Sequence, residues 1–115
     1  MGFTKLKLSG SSDGEPLNLS TTSTGAITIH TFTASTGDNT YDEVYLWAFN
    51  NATAAFNLTL EYGSTSLDIV TTVSPKAGTM LVLPGLIGNT GLVLKGFKST
   101  TGDGGVVGFV NQITS

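Results

Sequence analysis

The sequence predicts an all-β domain, a two-sheet β-sandwich or jelly roll of eight or nine short, mostly antiparallel strands. No window carries apolar residues at the 3.6-residue spacing of an amphipathic helix over ten or more positions. Runs of alternating apolar and polar residues recur instead, and residues typical of turns separate them about every eight to twelve positions. The third observation is the abundance of Thr, which suits strands, and of Gly, which suits turns.

The alternating runs define nine candidate strands in a single domain that covers residues 1–115. Turn pairs such as Asp13-Gly14, Asn50-Asn51 and Pro84-Gly85 delimit several of them. A sandwich buries one face of each sheet, and strand 55–62 shows this alternation clearly. The predicted strands are 3–8, 16–20, 26–34, 42–49, 55–62, 66–73, 79–83, 91–98 and 105–113.

Charge and composition exclude several classes of function. Only 11% of the residues are charged, the net charge is −3, and the five basic residues are all Lys. A chain without Arg or a basic cluster is poorly suited to nucleic acid, whose phosphates and base edges demand such residues. No run of 18 apolar residues predicts a membrane span, and the N-terminus lacks the apolar core of a signal peptide. We therefore expect synthesis in the cytoplasm and no binding to nucleic acid or membrane.

The stretch "YDEVYLWAFNN", residues 41–51, departs from simple alternation because both faces of the strand are apolar. One face carries Val44, Leu46 and Ala48, and the other carries an aromatic set of Tyr45, Trp47 and Phe49. Strand 79–83 is similar. We assign the aromatic set to the sandwich interior, because three rings bury the larger apolar area.

On this assignment the smaller side chains face outward and contact another subunit. The candidate protein–protein contact therefore comprises Val44, Leu46, Ala48, Met80 and Val82. Two alternatives stay open for the aromatic set. Interfaces are enriched in aromatic residues, so the rings could form a protein contact, and three rings at alternate positions could also form a sugar-stacking platform.

No catalytic, metal or cofactor site emerges from the sequence. His30 is the single histidine, and its simplest interpretation is a strand residue hydrogen-bonded to its neighbours, whose replacement we expect to have little effect. Asp38, Thr40 and Asp42 have the spacing of calcium ligands, but Glu43 stands where an EF-hand loop requires Gly. The glycine-rich segment 101–105 opens no helix and lacks a following Lys-Ser or Lys-Thr pair. We expect no enzyme.

Several motifs together resemble a family of small structural proteins of tailed bacteriophages, which decorate or cement the capsid. They are "YDEVYLWAFN" at 41–50, "NLTLEYG" at 57–63, "LVLPGLIGNTGLVLKGF" at 81–97 and "GFVNQITS" at 108–115. The resemblance implies a β-sandwich or jelly roll that binds the assembled shell of the major capsid protein as a homotrimer. It carries over no catalytic residue.

A charge-poor, cysteine-free β domain without an active site fits such a role. We expect a virion protein that decorates and stabilises the capsid. Two alternatives remain: a tail, neck or fibre-base component of the virion, and a glycan-binding adhesion module.

Overall fold

The computed structural model of the protein describes residues 2–21, 25–37, 39–63, 68–76 and 78–114, and in these ranges the chain is all-β. No helix among the described residues is long and apolar enough to cross a membrane. The strands are β1 (Gly2–Lys7), β2 (Leu17–Asn18), β3 (Ile27–Thr31), β4 (Thr40–Asn50), β5 (Phe56–Tyr62), β6 (Asp68–Val73), β7 (Thr79–Gly88), β8 (Val93–Lys98) and β9 (Gly104–Thr114).

The strands form two antiparallel sheets, which confirms the predicted two-sheet β-sandwich. The five-stranded sheet has the order β1-β9-β4-β7, and the short β2 also pairs with β9. The four-stranded sheet has the order β3-β8-β5-β6. β4 and β9 are paired along their full length, from Thr40 opposite Thr114 to Asn50 opposite Gly104, and they form the middle of the larger sheet.

Each of the nine predicted strands is present, with ends that differ by a few residues. The largest difference lies at Pro84-Gly85, which the sequence predicted to be a turn. β7 continues through this pair to Gly88. Pro84 lies opposite Tyr45, and Gly85 is an extra residue in a β-bulge, with a φ of 102° that side-chain-bearing residues rarely adopt.

The core lies between the two sheets, and the small side chains of β4 belong to it. Val44, Leu46 and Ala48 are fully buried. They share one apolar cluster with residues of both sheets and of the adjoining loops, namely Leu8, Leu19, Ile29, Phe32, Phe56, Leu58, Leu60, Val73, Leu83, Leu94, Val106 and Val110.

The assignment of the two faces of β4 was therefore wrong. Tyr45, Trp47 and Phe49 point away from the core and are only half-buried. The polar residues of β4 give the physical reason: Asp42 and Asn50 share a face with the small apolar set and find hydrogen-bond partners in the interior. The opposite orientation would have buried the Glu43 carboxylate, which costs several kcal/mol without a partner.

Met80 and Val82 were also wrongly assigned to an outward contact surface. Both are partly buried and pack against the core cluster. Met80 lies opposite the inward Ala48, and Val82 is the extra residue of a second bulge between the Trp47–Leu81 and Leu46–Leu83 pairs. Because this bulge resets the alternation of β7, Leu81 points outward beside Trp47 while Leu83 points into the core.

Candidate functional site

The outer face of the five-stranded sheet is the candidate functional site, and we call it the aromatic face. Strand register places its side chains, because residues directly opposite one another lie on the same side of a sheet. Phe109 of β9 lies opposite Tyr45, and Val107 lies opposite Trp47. The aromatic face comprises Phe3, Lys5, Lys7, Tyr41, Glu43, Tyr45, Trp47, Phe49, Leu81, Ile87, Val107, Phe109, Asn111 and Ile113.

Aromatic rings pack side by side across the middle of this face. The rings of Tyr45 and Phe109 are stacked, with centroids 5.2 Å apart and planes 15° apart. Trp47 packs on Phe109 at 5.9 Å with a 30° tilt. From the other side the ammonium group of Lys5 lies 4.4 Å from the centroid of Phe109, a cation–π contact. Since β1 and β4 flank β9 on opposite sides, both faces of the Phe109 ring are covered.

Tyr45 is also supported on the side of β7. A methyl group added at Gly85 would lie 3.4 Å from the Tyr45 hydroxyl oxygen, so the ring lies over the glycine of the bulge. Tyr45 is therefore held between Phe109 and the Pro84-Gly85 bulge. Because the nearly parallel rings of Tyr45 and Phe109 lie side by side on neighbouring strands, they stand upright on the sheet.

Large aliphatic and aromatic side chains surround these rings and are strongly exposed. Phe3 of β1 is 63% exposed, Ile87 of β7 is 55% exposed, and Leu81 beside Trp47 is 47% exposed. Exposed apolar side chains that are grouped on one face of a sheet are typical of interaction sites. The aromatic face is thus largely apolar and carries packed rings, as the centres of many protein interfaces do.

The few charges on the aromatic face differ in sign from those of the whole chain. Lys5, Lys7 and Glu43 are its charged residues, so the face carries a small positive charge on a chain whose net charge is −3. Both lysines lie on β1 at one side of the face. A partner surface with an apolar centre and carboxylates along that side would match it.

A buried polar network joins the two sheets in the interior of the sandwich, on the opposite side of β4 from the aromatic face. His30 Nε2 lies 2.8 Å from Asp42 Oδ2, and its Nδ1 accepts a hydrogen bond from the backbone N–H of Ser9 at 3.0 Å. Asp42 also accepts hydrogen bonds from the Thr33 N–H and the Gln112 side chain. An open cavity of about 510 Å³ adjoins the network.

The hydrogen bonds of His30 give it a structural role in this network. Both nitrogens of His30 are hydrogen-bonded. Nδ1 accepts a hydrogen bond, so Nε2 carries the proton and donates a hydrogen bond to Asp42. A general base needs a free lone pair aimed at its substrate. The pair therefore ties β3 of one sheet to β4 of the other.

The second buried polar centre is the ammonium group of Lys98 on β8. It donates hydrogen bonds to Asn18 Oδ1 at 2.9 Å, to the Gly104 carbonyl at 3.0 Å and to the Gly102 carbonyl. Burial lowers the pKa of Lys98, and the nearby Asp103 carboxylate opposes that shift. Three acceptors match the three protons of the group, so Lys98 fastens β2 and the loop before β9 to the smaller sheet.

Metal ligands are not grouped in the part of the chain that the structure describes, where no three His, Cys, Asp or Glu side chains come together. Of the calcium-type residues considered from sequence, Asp38 lies outside the described residues, and both oxygens of Asp42 are hydrogen-bonded within the protein. Compared with known proteins, the chain matches no family model, no curated protein and no solved structure.

Sequence reasoning found part of this surface and missed the rest. It singled out Tyr45, Trp47 and Phe49, which the structure places together on the aromatic face. It missed Phe109, Lys5 and Leu81, because the strand order that brings β1, β9 and β7 beside β4 is not written in any local pattern. The apolar residues on both faces of β4 and β7 were the one available signal.

Proposed function

We propose that this chain is a structural protein of a bacteriophage virion, a capsid decoration protein that docks on the head shell through the aromatic face. The observation that supports it best is the upright row of packed rings between Lys5 and the Pro84-Gly85 bulge. A rigid apolar surface loses little side-chain entropy when another protein covers it. The resemblance of the sequence motifs to phage structural proteins supplies the identity of the partner, the major capsid protein.

The ring geometry favours a protein partner over a sugar. Sugar stacking needs the flat face of an aromatic ring open to solvent. Phe109 has Lys5 on one face and Tyr45 on the other, and Tyr45 is itself flanked by Phe109 and Gly85. The exposed ring edges suit the shape-complementary packing of a protein interface.

Decoration needs no chemistry from the chain. A protein that binds the assembled shell, and binds dissociated subunits less well, stabilises the shell by mass action at every equivalent site. The rigid sandwich presents the aromatic face without any rearrangement. The proposed function is therefore binding alone, with neither a cofactor nor a catalytic residue.

The copy number of the chain in purified virions tests this proposal. Quantitative mass spectrometry should find on the order of hundreds of copies per particle, as repeated binding to equivalent shell sites requires. A dozen copies or fewer would indicate a tail, neck or fibre-base component instead. Absence from the particle would overturn the virion assignment as a whole.

A matched pair of variants tests the aromatic face. Leu81→Glu adds a carboxylate beside Trp47 at an exposed position, and it should reduce the occupancy of the chain on particles by about tenfold or more. Thr28→Glu adds the same charge at an exposed position on the other sheet, where it lies opposite Lys95, and should leave occupancy unchanged. Equal occupancy for both variants would contradict docking through the aromatic face.

A glycan-binding adhesion module is the second candidate, because Trp47 and Phe49 are half-exposed on the outer surface of a sheet. A glycan array probed with the purified chain separates it from the first. Saturable binding to a sugar that Trp47→Ala abolishes would favour adhesion. Decoration predicts no such binding.

A further inference from the structure

The four sheet edges of the sandwich are not equally protected against pairing with another strand. The edges are β1 and β7 in the larger sheet, and β3 and β6 in the smaller one. An edge strand presents unpaired backbone N–H and C=O groups, and soluble proteins usually block it with lysines, proline, bulges or a covering segment.

Three of these edges carry such devices. β1 holds Lys5 and Lys7. β7 contains Pro84 and two shifts of register against β4. β3 has a register shift next to Ile29, whose carbonyl accepts a hydrogen bond from the backbone N–H of Gly10 in a covering loop.

Among the residues that the structure describes, β6 carries none of these features. Its sequence DIVTTV contains neither Lys nor Pro nor Gly, and five of its six residues are β-branched. Its register with β5 runs without a shift from Glu61–Asp68 to Phe56–Val73. Val70 is 59% exposed, so the strand adds an apolar side chain to an open backbone edge. A straight, unbulged and charge-poor edge is the form that pairs with another strand.

We propose that β6 pairs with β6 of a second copy of this chain, antiparallel and about a two-fold axis, so that two four-stranded sheets join into one. A two-fold axis perpendicular to the sheet keeps outward residues opposite outward residues. In such a register one residue of the strand lies opposite the same residue of the partner, and the axis passes between the two. Val70 opposite the partner's Val70 is the register that covers the most exposed apolar side chain of the strand.

The charge pattern of β6 favours its own copy as the occupant of this edge. Asp68 is the one charged residue of the strand and stands at its end. In the proposed register it lies opposite the partner's Thr72, so the two Asp68 carboxylates point to opposite ends of the joint. Ile69 then lies opposite the partner's Thr71, and pairs of β-branched residues stabilise strand pairing.

This contact lies on the smaller sheet and is independent of the aromatic face on the other. It produces a closed dimer, since a two-fold contact uses the same edge on both partners. It therefore differs from the homotrimer that the phage resemblance implies. The state of the isolated protein decides between them.

Sedimentation velocity over a range of concentrations tests the dimer. The wild-type chain should show a reversible monomer–dimer equilibrium, and Val70→Lys should weaken it by about tenfold or more, because a lysine on an edge strand opposes pairing. Thr31→Lys is the matched control on the β3 edge of the same sheet, outside the aromatic face, and should leave the equilibrium unchanged. Thermal melts of both variants near the wild-type temperature show that the monomer fold is intact. A wild-type chain that stays monomeric or forms a trimer overturns the proposal, as does a dimer indifferent to Val70→Lys.

Cysteine cross-linking tests the register. The chain has no cysteine, so Val70→Cys introduces a single thiol. In the proposed register the two thiols face each other across the axis at a separation that a disulfide spans. Mild oxidation should give covalent dimers of Val70→Cys much faster than of Thr31→Cys, an exposed position on the β3 edge. Equal rates for the two variants overturn the register.

Discussion

His30 Nε2 lies 2.8 Å from Asp42 Oδ2 across the interior of the sandwich, and the two side chains are 3% and 2% exposed. The contact joins β3 of one sheet to β4 of the other, and it places Asp42 on the inner face of β4. Because side chains alternate along a strand, Val44, Leu46 and Ala48 follow Asp42 inward and the aromatic set is turned outward. A polar pair thus fixes which face of β4 points into the core and which carries the aromatic set outward.

Replacing His30 should destabilise the fold. His30→Ala removes the donor to Asp42 and leaves a buried carboxylate with fewer partners, at a cost of about 2–4 kcal/mol in the free energy of unfolding. The sequence-based prediction that His30→Ala leaves particle stability and infectivity close to wild type concerns a different measurement and stays a prediction. Urea denaturation measures the free energy of unfolding, and the double variant His30→Ala with Asp42→Ala should recover part of the loss. An unchanged unfolding midpoint for His30→Ala would contradict a structural role for the pair.

Lys98 and Lys95 should differ sharply, although they lie three residues apart on β8. Lys98→Met removes the ammonium donor from Asn18 Oδ1 and from the carbonyls of Gly102 and Gly104, which should lower the free energy of unfolding by about 2–3 kcal/mol. Asn18 Oδ1 then keeps the Gly104 N–H as a donor, and the Gly104 carbonyl keeps the Leu19 N–H. Lys95 is exposed, so Lys95→Met should change it by less than about 0.5 kcal/mol. Equal unfolding midpoints for the two variants would contradict a structural role for the hydrogen bonds of Lys98.

The lowered pKa of Lys98 predicts a difference in alkaline solution. Between its pKa in the folded chain and the usual value of 10.5, the unfolded chain binds more protons, so this group makes the free energy of unfolding rise with pH. The other ionisable groups are common to both proteins and cancel in a comparison. The wild-type value minus the Lys98→Met value should therefore increase as pH rises through this window. A flat or falling difference would contradict the lowered pKa.

Leu46 and Trp47 should have opposite roles. Leu46 is fully buried, so Leu46→Ala should cost about 2–5 kcal/mol in the free energy of unfolding, and Leu46→Asp should prevent folding. Trp47→Ala should keep a cooperative melt and lose binding to the particle. Thermal melts beside a particle-binding assay compare them. If Trp47→Ala fails to fold while Leu46→Asp folds, the orientation of β4 is the reverse of that described.

Fluorescence of the single tryptophan reports on the aromatic face directly. Trp47 is half-buried on the outer face, so acrylamide should quench its emission in the free chain. Docking on the shell should shift the emission to shorter wavelength and reduce quenching, because the ring leaves water. The Thr28→Glu control should behave like the wild type. Unchanged quenching on particles that carry the chain would place the contact elsewhere.

The sequence by itself determined the class of the fold and nearly all of its strands. Alternating polarity and turn residues act over a few neighbouring positions, so β5 and β9 could be recognised without knowing what lies beside them. Local patterns failed at Pro84-Gly85, because a bulge and a turn use the same residues and only the pairing of β7 with β4 distinguishes them. The apolar residues on both faces of strand 41–50 also indicated that each face contacts another sheet or another chain.

Only the tertiary structure decided which of those faces is the core. Both faces of β4 are apolar. The comparison of their apolar areas favoured the aromatic set as the core, which was the wrong face. The choice depended on Asp42, which reaches His30 on the opposite sheet, and on Phe109 and Lys5, which reach the aromatic set from neighbouring strands. Such partners lie far apart in the chain and come together only when the strand order is set. A buried carboxylate without a partner costs much more free energy than an aromatic ring exposed to solvent. This difference in cost fixes the orientation of the strand.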